Sequence, residues 1–180
     1  SQESTEKQYH KIHKPGVDTE ASWLKKGKKL HYGYKKHVVT DQEGLVLGLE
    51  TTPANINEIS NLEEVLGTVE LAPTTAVFAD KGYQSGKNQN LLAQKRLKSR
   101  ILHKGKRNHP LKSRETEFNK ACSKIRYKVE RTFGSIKRWF YGGKARYKGL
   151  IKTHAQNIIE SLAYNLYRSP GIAIYNAEYL

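Results

Sequence analysis

TTAVFADKGYQS, Thr74–Ser85, is the stretch that sets the class of the fold. Its first six residues are β-branched or apolar, the make-up of a strand buried on both faces. The run ends at Asp80 and breaks at Gly82. Ser85 is placed to cap a helix reaching about Leu97, with Leu91 and Leu92 turned inward. A buried strand handing over directly to a helix is the building unit of an α/β domain.

Upstream, Leu30–Thr40 carries Tyr32, Tyr34 and Val38 at even spacing, and Leu45–Thr52 alternates through Leu45, Leu47 and Leu49. The turn Asp41-Gln42-Glu43-Gly44 between them completes a hairpin signature. Asn57–Leu66 places Ile59, Leu62, Val65 and Leu66 at helical spacing. Residues 1–29 are polar, interrupted by Pro15-Gly16 and Gly27, and read as a linker.

Downstream, Arg100–His103 reads as a short strand and Lys104–Ser113 as a basic surface loop. A helix is expected over Thr116–Phe140, with Ile125, Val129, Phe133, Ile136 and Phe140 as its buried stripe. A second is expected over Thr153–Tyr167, with Ile158, Ile159, Leu162, Ala163 and Leu166 inward and Ser169-Pro170-Gly171 as its stop. The pattern predicts an α/β domain over residues 30–172, a mixed sheet flanked by helices, with a tail at 173–180.

The net charge of +15 is concentrated. Lys81–Leu150 holds 21 Lys and Arg against Glu115, Glu117 and Glu130, a net +18, while the rest of the chain is −3. A basic segment of this length fits a polyphosphate partner, nucleic acid above all. A solubilising surface or binding to acidic membranes leaves that concentration unexplained. The lone Cys122 excludes an internal disulfide and a multi-cysteine zinc site. No apolar run approaches the roughly 18 residues of a membrane span. These features suit a cytoplasmic location.

Two carboxylates stand out. Glu130 is the only acid between Phe118 and Ile159, and lies among Arg126, Lys128 and Arg131. At about 100° per residue, Arg126, Glu130 and Lys137 share an arc of roughly 40° beside the apolar stripe. That spacing equally describes a plain i, i+4 ion pair between Arg126 and Glu130. Asp80 sits at the carboxyl end of a strand, where ligands collect in sheets with parallel pairing, and equally where an Asp supports a tight turn. Taken together, the pair suggests a metal site. Hard cations roughly 3.5–4 Å apart activate the attacking oxygen and stabilise the leaving one in phosphodiester chemistry. Such a site ordinarily takes three carboxylates.

The sequence resembles the insertion-sequence DDE transposases, in particular the group named after insertion sequence five. The matching stretches are LHYGYKKHVVTD (Leu30–Asp41), TTPAN (Thr51–Asn55), VFADKGYQS (Val77–Ser85), RYKVERTFGSIKRWF (Arg126–Phe140) and ARYKGLIKTHAQNIIESLAYNLYRSPG (Ala145–Gly171). They keep the family's order from about Gly16 to Gly171. The resemblance implies a ribonuclease H-like fold and an Asp-Asp-Glu triad binding two Mg²⁺ ions, with Mn²⁺ as a substitute. Asp80 matches the second Asp and Glu130 the Glu, each catalytic and metal-binding. The family signature Y-x2-R-x3-E-x6-K falls on Ser123, Arg126, Glu130 and Lys137, with Ser123 in place of the tyrosine. Glu58 stands where the family usually has Asp.

The resemblance also implies a first triad Asp on a strand upstream of the GYKKH hairpin. Asp18 lies in a loop and Asp41 in the hairpin turn, so neither matches. The chain contains no methionine. The expectation is a catalytic domain lacking its first strand, with that Asp encoded before Ser1. Arg126 and Lys137 are expected to hold DNA phosphates, joined by Lys81, Arg131, Arg138, Lys144, Arg146 and Lys148.

Seven histidines are scattered, and His10 and His13 have no third ligand nearby. His37, in GYKKH, is placed to line the site without a catalytic assignment. Cys122 reads as an inert helix residue. Trp139, Phe140, Tyr141 and Tyr147 interleave with basic residues, as in surfaces that stack on bases. Core packing is the expectation for Trp139 and Phe140, while the Gly142–Lys148 loop is open between the two. The expected function is DNA cleavage and 3′-hydroxyl strand transfer on element ends and target duplex, by a homodimer or higher oligomer at the nucleoid. An inactive remnant that only binds DNA is the alternative. An RNA-binding module has charge alone behind it.

Overall fold

The computed structural model describes residues 16–178. β1 (Ser22–Lys26), β2 (Lys29–Thr40) and β3 (Val46–Pro53) form an antiparallel sheet in that order. β1 lies inside the segment expected to be a linker. Its alternating Trp23 and Lys25 pair with Tyr32 and Leu30 of β2, and the Trp23 and Tyr32 rings meet at 5.0 Å. A polar stretch thus becomes a strand because β2 extends past the hairpin and offers it an edge.

The turn between β2 and β3 follows the sequence reading. The Asp41 carboxylate accepts the N–H groups of Glu43 and Leu45, both at 2.9 Å. Next come a 3-10 turn at Glu58–Asn61, α1 (Leu62–Gly67), β4 (Ala76–Ala79), α2 (Gly86–Gln94) and β5 (Lys98–Ile101). Ser85 caps α2, its hydroxyl accepting the Asn88 N–H at 3.1 Å. β4 and β5 pair in parallel, with Ala79 opposite Ile101, so the expected strand near residue 100 begins earlier, at Lys98. The architecture is α/β, with a three-stranded antiparallel and a two-stranded parallel sheet flanked by helices.

The apolar core lies between α1, α2 and the parallel pair. Leu62, Val65, Leu66, Leu91, Leu92, Leu97 and Ile101 are buried there with Ala79, at the end of β4. Leu92 is fully enclosed. This cluster fixes the strand end from which Asp80 emerges.

α3 (Ser113–Trp139) and α4 (Leu150–Glu178) complete the fold, and both depart from their expected faces. On α3 only Ile136 of the expected stripe is buried. Val129 and Phe140 are half-buried, Ile125 and Phe133 are exposed, and Cys122 and Thr132 turn inward. On α4, Ile158, Ile159, Leu162 and Leu166 face outward, and Thr153, Gln156, Asn157, Glu160, Ser161 and Tyr164 are buried.

The hairpin explains that rotation. Its inner side presents polar groups that need partners. Asn165 bonds both the N–H and C=O of Val46, at 2.9 and 2.8 Å. Asn157 donates to the Thr51 hydroxyl at 2.9 Å, and Glu160 meets Lys36 at 3.1 Å. No buried side-chain nitrogen or oxygen among the described residues lacks a hydrogen bond.

α4 also runs through Pro170 instead of stopping there. The missing Pro N–H falls in an exposed turn where water reaches the freed carbonyl, so the ordinary cost of an interior proline is reduced. The expected tail at 173–180 is therefore helical as far as Glu178. No described helix is long and apolar enough to cross a membrane.

Candidate active site

Asp80 leaves β4 in extended conformation and opens the short 3-10 turn Lys81–Tyr83. Its Oδ1 accepts the Lys81 N–H at 2.6 Å, and its carbonyl accepts the Tyr83 N–H at 2.9 Å. The turn-supporting role weighed from the sequence is therefore real. It uses one carboxylate oxygen and leaves half the side chain open to solvent.

α3 brings Arg126 and Glu130 to the same place. Arg126 Nη1 lies 3.8 Å from Asp80 Oδ1, and Nη2 lies 3.7 Å from Glu130 Oε1. Both separations exceed hydrogen-bond length, so the guanidinium acts as a charge shared between two carboxylates. The i, i+4 pair weighed from the sequence forms, and the same arginine reaches the strand end as well. Arg126 is largely buried at 17%, whereas Glu130 is open at 64%. A fixed cation between two accessible acids sets their positions while leaving oxygens free for ligands.

Those oxygens suit a hard cation. Mg²⁺ commonly takes one or two carboxylates and fills its remaining positions with water and substrate phosphates. Asp80 and Glu130 fit that donor set. Among the described residues no group of three or more His, Cys, Asp and Glu side chains converges.

Around the Asp80 turn lies a network that the sequence signalled only through His37 and Glu58. His37 is buried, with Nδ1 2.8 Å from the Tyr83 hydroxyl and Nε2 3.1 Å from the Thr52 hydroxyl. Asn88 of α2 donates to the Tyr83 carbonyl at 2.7 Å. Glu58 packs beside Gly82 and pairs with Lys35 at 3.0 Å. Desolvation holds the His37 pKa below its ordinary value, outweighing the nearby Glu58. Burial, with Glu58 and Asp80 nearby, pushes the Tyr83 hydroxyl to about 12. Desolvation raises the Glu58 carboxyl, but the Lys35 hydrogen bond and charge outweigh it and lower the pKa. Both β2 and β3 thus hold the turn that carries Asp80. Partners this far apart in the chain leave no local spacing to read.

The remaining candidates are dispersed. Lys81, Arg131 and Lys137 are exposed, and the Lys137 stem lies about 3.8 Å from where a Cβ on Gly143 would be. Arg138 stacks on Trp139 with its guanidinium carbon 5.0 Å from the ring centroid. Trp139 is 57% exposed, against the expectation of core packing, while Phe140 is half-buried against Tyr167.

Lys144, Arg146 and Lys148 are exposed on the loop joining α3 to α4. Gln156 clamps that loop by accepting the Arg146 N–H at 2.9 Å and donating to the Lys144 carbonyl at 2.8 Å. The loop enters through Gly142, where a Cβ would stand 2.6 Å from Ile136 Cγ2.

Asp18 caps α4, accepting the Gly149 N–H at 2.9 Å and the Tyr34 hydroxyl at 2.7 Å. Burial raises its carboxyl, but these and neighbouring N–H donors outweigh it and lower the pKa. Cys122 is buried, and burial pushes its thiol up. His10 and His13 lie outside the described residues.

Comparison with known proteins places the chain among transposases. A family model described as "Transposase DDE domain" matches residues 6–166. A transposase for insertion sequence element IS1106 from Neisseria meningitidis serogroup B is 40% identical over 155 residues. That match covers 86% of this chain and 53% of the relative, so the chain spans about half of that protein's length. No solved structure matches.

Proposed function

We propose, from the premise that the chain belongs to the transposase DDE domain family, that it forms the larger part of an insertion-sequence transposase's catalytic domain. In this reading the domain is ribonuclease H-like and of the insertion-sequence-five group. The observation that carries the reading is Arg126 lying within 3.8 Å of both Asp80 and Glu130. A strand end and a helix far along the chain contribute acids to one cationic centre, Asp80 lying just before and Glu130 inside the Lys81–Leu150 segment of net charge +18.

The reaction is hydrolysis of a phosphodiester at an element end, followed by attack of the freed 3′-hydroxyl on a target phosphate. Asp80 and Glu130 supply carboxylate ligands for divalent cations, Mg²⁺ in preference with Mn²⁺ as substitute. Such ions, when bound, lower the pKa of the attacking oxygen and offset charge on the leaving one. Arg126 holds the two acids in register and faces the scissile phosphate. Lys137 extends that cationic line along α3 by about three turns. Lys81, Arg131, Arg138, Lys144, Arg146 and Lys148 hold flanking phosphates of duplex DNA, positioning it without reading its sequence. The working form is a homodimer or higher oligomer on DNA.

Two carboxylates are one short of the family's triad. The 180-residue chain is therefore expected to bind duplex DNA, with cleavage appearing in a protein that supplies a third. In such a protein, with Mg²⁺, Asp80→Ala or Glu130→Ala abolishes nicking of element-end DNA while binding persists. Undiminished nicking in either variant would sink the site assignment.

A further inference from the structure

The loop between β5 and α3 is a part of the basic segment to which the proposed function gives no role. Lys104–Lys112, KGKRNHPLK, holds Lys104, Lys106, Arg107 and Lys112 with His109 and no acid. Crowded like charges ordinarily keep such a stretch mobile. Here it is fastened at three points. Lys106 and His109 exchange main-chain hydrogen bonds, both at 3.0 Å, closing a two-residue turn at Arg107-Asn108. Asn119 of α3 accepts the His103 N–H at 2.8 Å and donates to its carbonyl at 3.0 Å. The Lys104 N–H donates to the side chain of Gln84, at the end of the Asp80 turn.

Gln84, Lys104, Lys106, His109, Lys112 and Glu115 line an open cleft between this loop and the start of α3. Glu115, the acid among them, accepts the Lys112 N–H at 2.8 Å and faces His103 at 4.0 Å. Its charge is turned toward the start of α3, leaving three exposed lysines to set the sign of the cleft.

We infer that this cleft is a second phosphate-binding track. It seats the backbone of duplex DNA that runs on from the bond held at Asp80 and Glu130. The inference rests on the DNA reading above. Its physical basis is that a clamped loop presents its charges without first having to be ordered, and that Gln84 ties it close in sequence to Asp80. The groups it offers suit phosphate, so the track is indifferent to base sequence.

The test is binding of the 180-residue chain to an arbitrary duplex of about 30 base pairs across a salt series. Each phosphate no longer neutralised lowers the slope of log affinity against log salt by about 0.9. The triple variant Lys104→Gln, Lys106→Gln, Lys112→Gln is expected to bind at least about ten-fold more weakly near roughly 100 mM salt, with a slope shallower by about 2.7. The matching Lys→Arg triple keeps wild-type binding. A control removing the same charge from the β1–β2 hairpin, at Lys25, Lys26 and Lys29, stays within about two-fold. An unchanged cleft variant, an equal loss in the control, or failure of the arginine rescue would overturn the inference. Absence of binding by the unaltered chain would overturn the DNA reading itself.

Discussion

The cluster between α1, α2, β4 and β5 and the seam between α3, α4 and the β2–β3 hairpin are both buried, by opposite chemistry. The first is aliphatic, centred on fully enclosed Leu92. The second is built from Thr51, Thr132, Asn157, Glu160 and Tyr164, each hydrogen-bonded across the seam or to its neighbours. Apolar packing is non-directional and tolerates small shifts, whereas the seam holds only while each donor keeps its acceptor. The cluster therefore supplies stability and the seam supplies register. Asp80 grows from the cluster and Glu130 from the seam, so the candidate site stands where the two meet.

That contrast can be broken by substitution. Leu92→Ala should have the largest effect, destabilising by about 2–5 kcal/mol through reduced burial and a residual cavity. Chemical denaturation would read it, and a change below about 1 kcal/mol would mean the cluster is not the main source of stability.

In the seam, Glu160→Ala leaves Lys36 without its partner and should cost about 3 kcal/mol. The paired change Lys36→Met with Glu160→Leu removes both charges and should recover most of that stability. If the double variant is no better than the single, the seam holds through more than this pair.

A smaller effect is expected from pH. His37 is neutral in the fold with its pKa below the ordinary 6.5. Its contribution is complete above about 6.5 and is lost as pH falls through the folded value. His37→Gln should flatten stability against pH below about 6.5, and an unchanged slope would place the titration elsewhere.

The smallest effect belongs to the outer face of α4. Leu162→Lys and Leu166→Lys, at 55% and 75% exposure, should each change stability by no more than about 0.5 kcal/mol. A decrease above about 2 kcal/mol would show that this face is covered in solution.

The same contrast separates what the sequence displays from what it conceals. Leu62, Val65, Leu66, Leu91 and Leu92 repeat at helical spacing, so the cluster is legible, as are the hairpin turn at Asp41 and the Ser85 cap. Asp80 and Glu130 are nameable because one ends a strand and the other is an isolated acid in a basic helix. α4 misleads because its apolar residues repeat as cleanly as any core helix, while the partner surface demands amides and a carboxylate. The His37, Tyr83, Asn88 and Glu58 network around Asp80 joins separate elements, and no repeating pattern encodes it. β1 is hidden because pairing with β2, not its own composition, makes it a strand.

The caps on α4 carry a consequence for the order of assembly. Asp18 receives the Gly149 N–H and Glu20 the Leu150 N–H, bonds spanning 131 and 130 residues. Closing so long a loop is entropically slow, and such bonds form after local ones. During synthesis, α1 and α2 have their partners in β4 and β5 by Ile101, whereas Asp18 and Glu20 wait for Leu150 to emerge. The segment that begins the described chain is thus among the last to find its place.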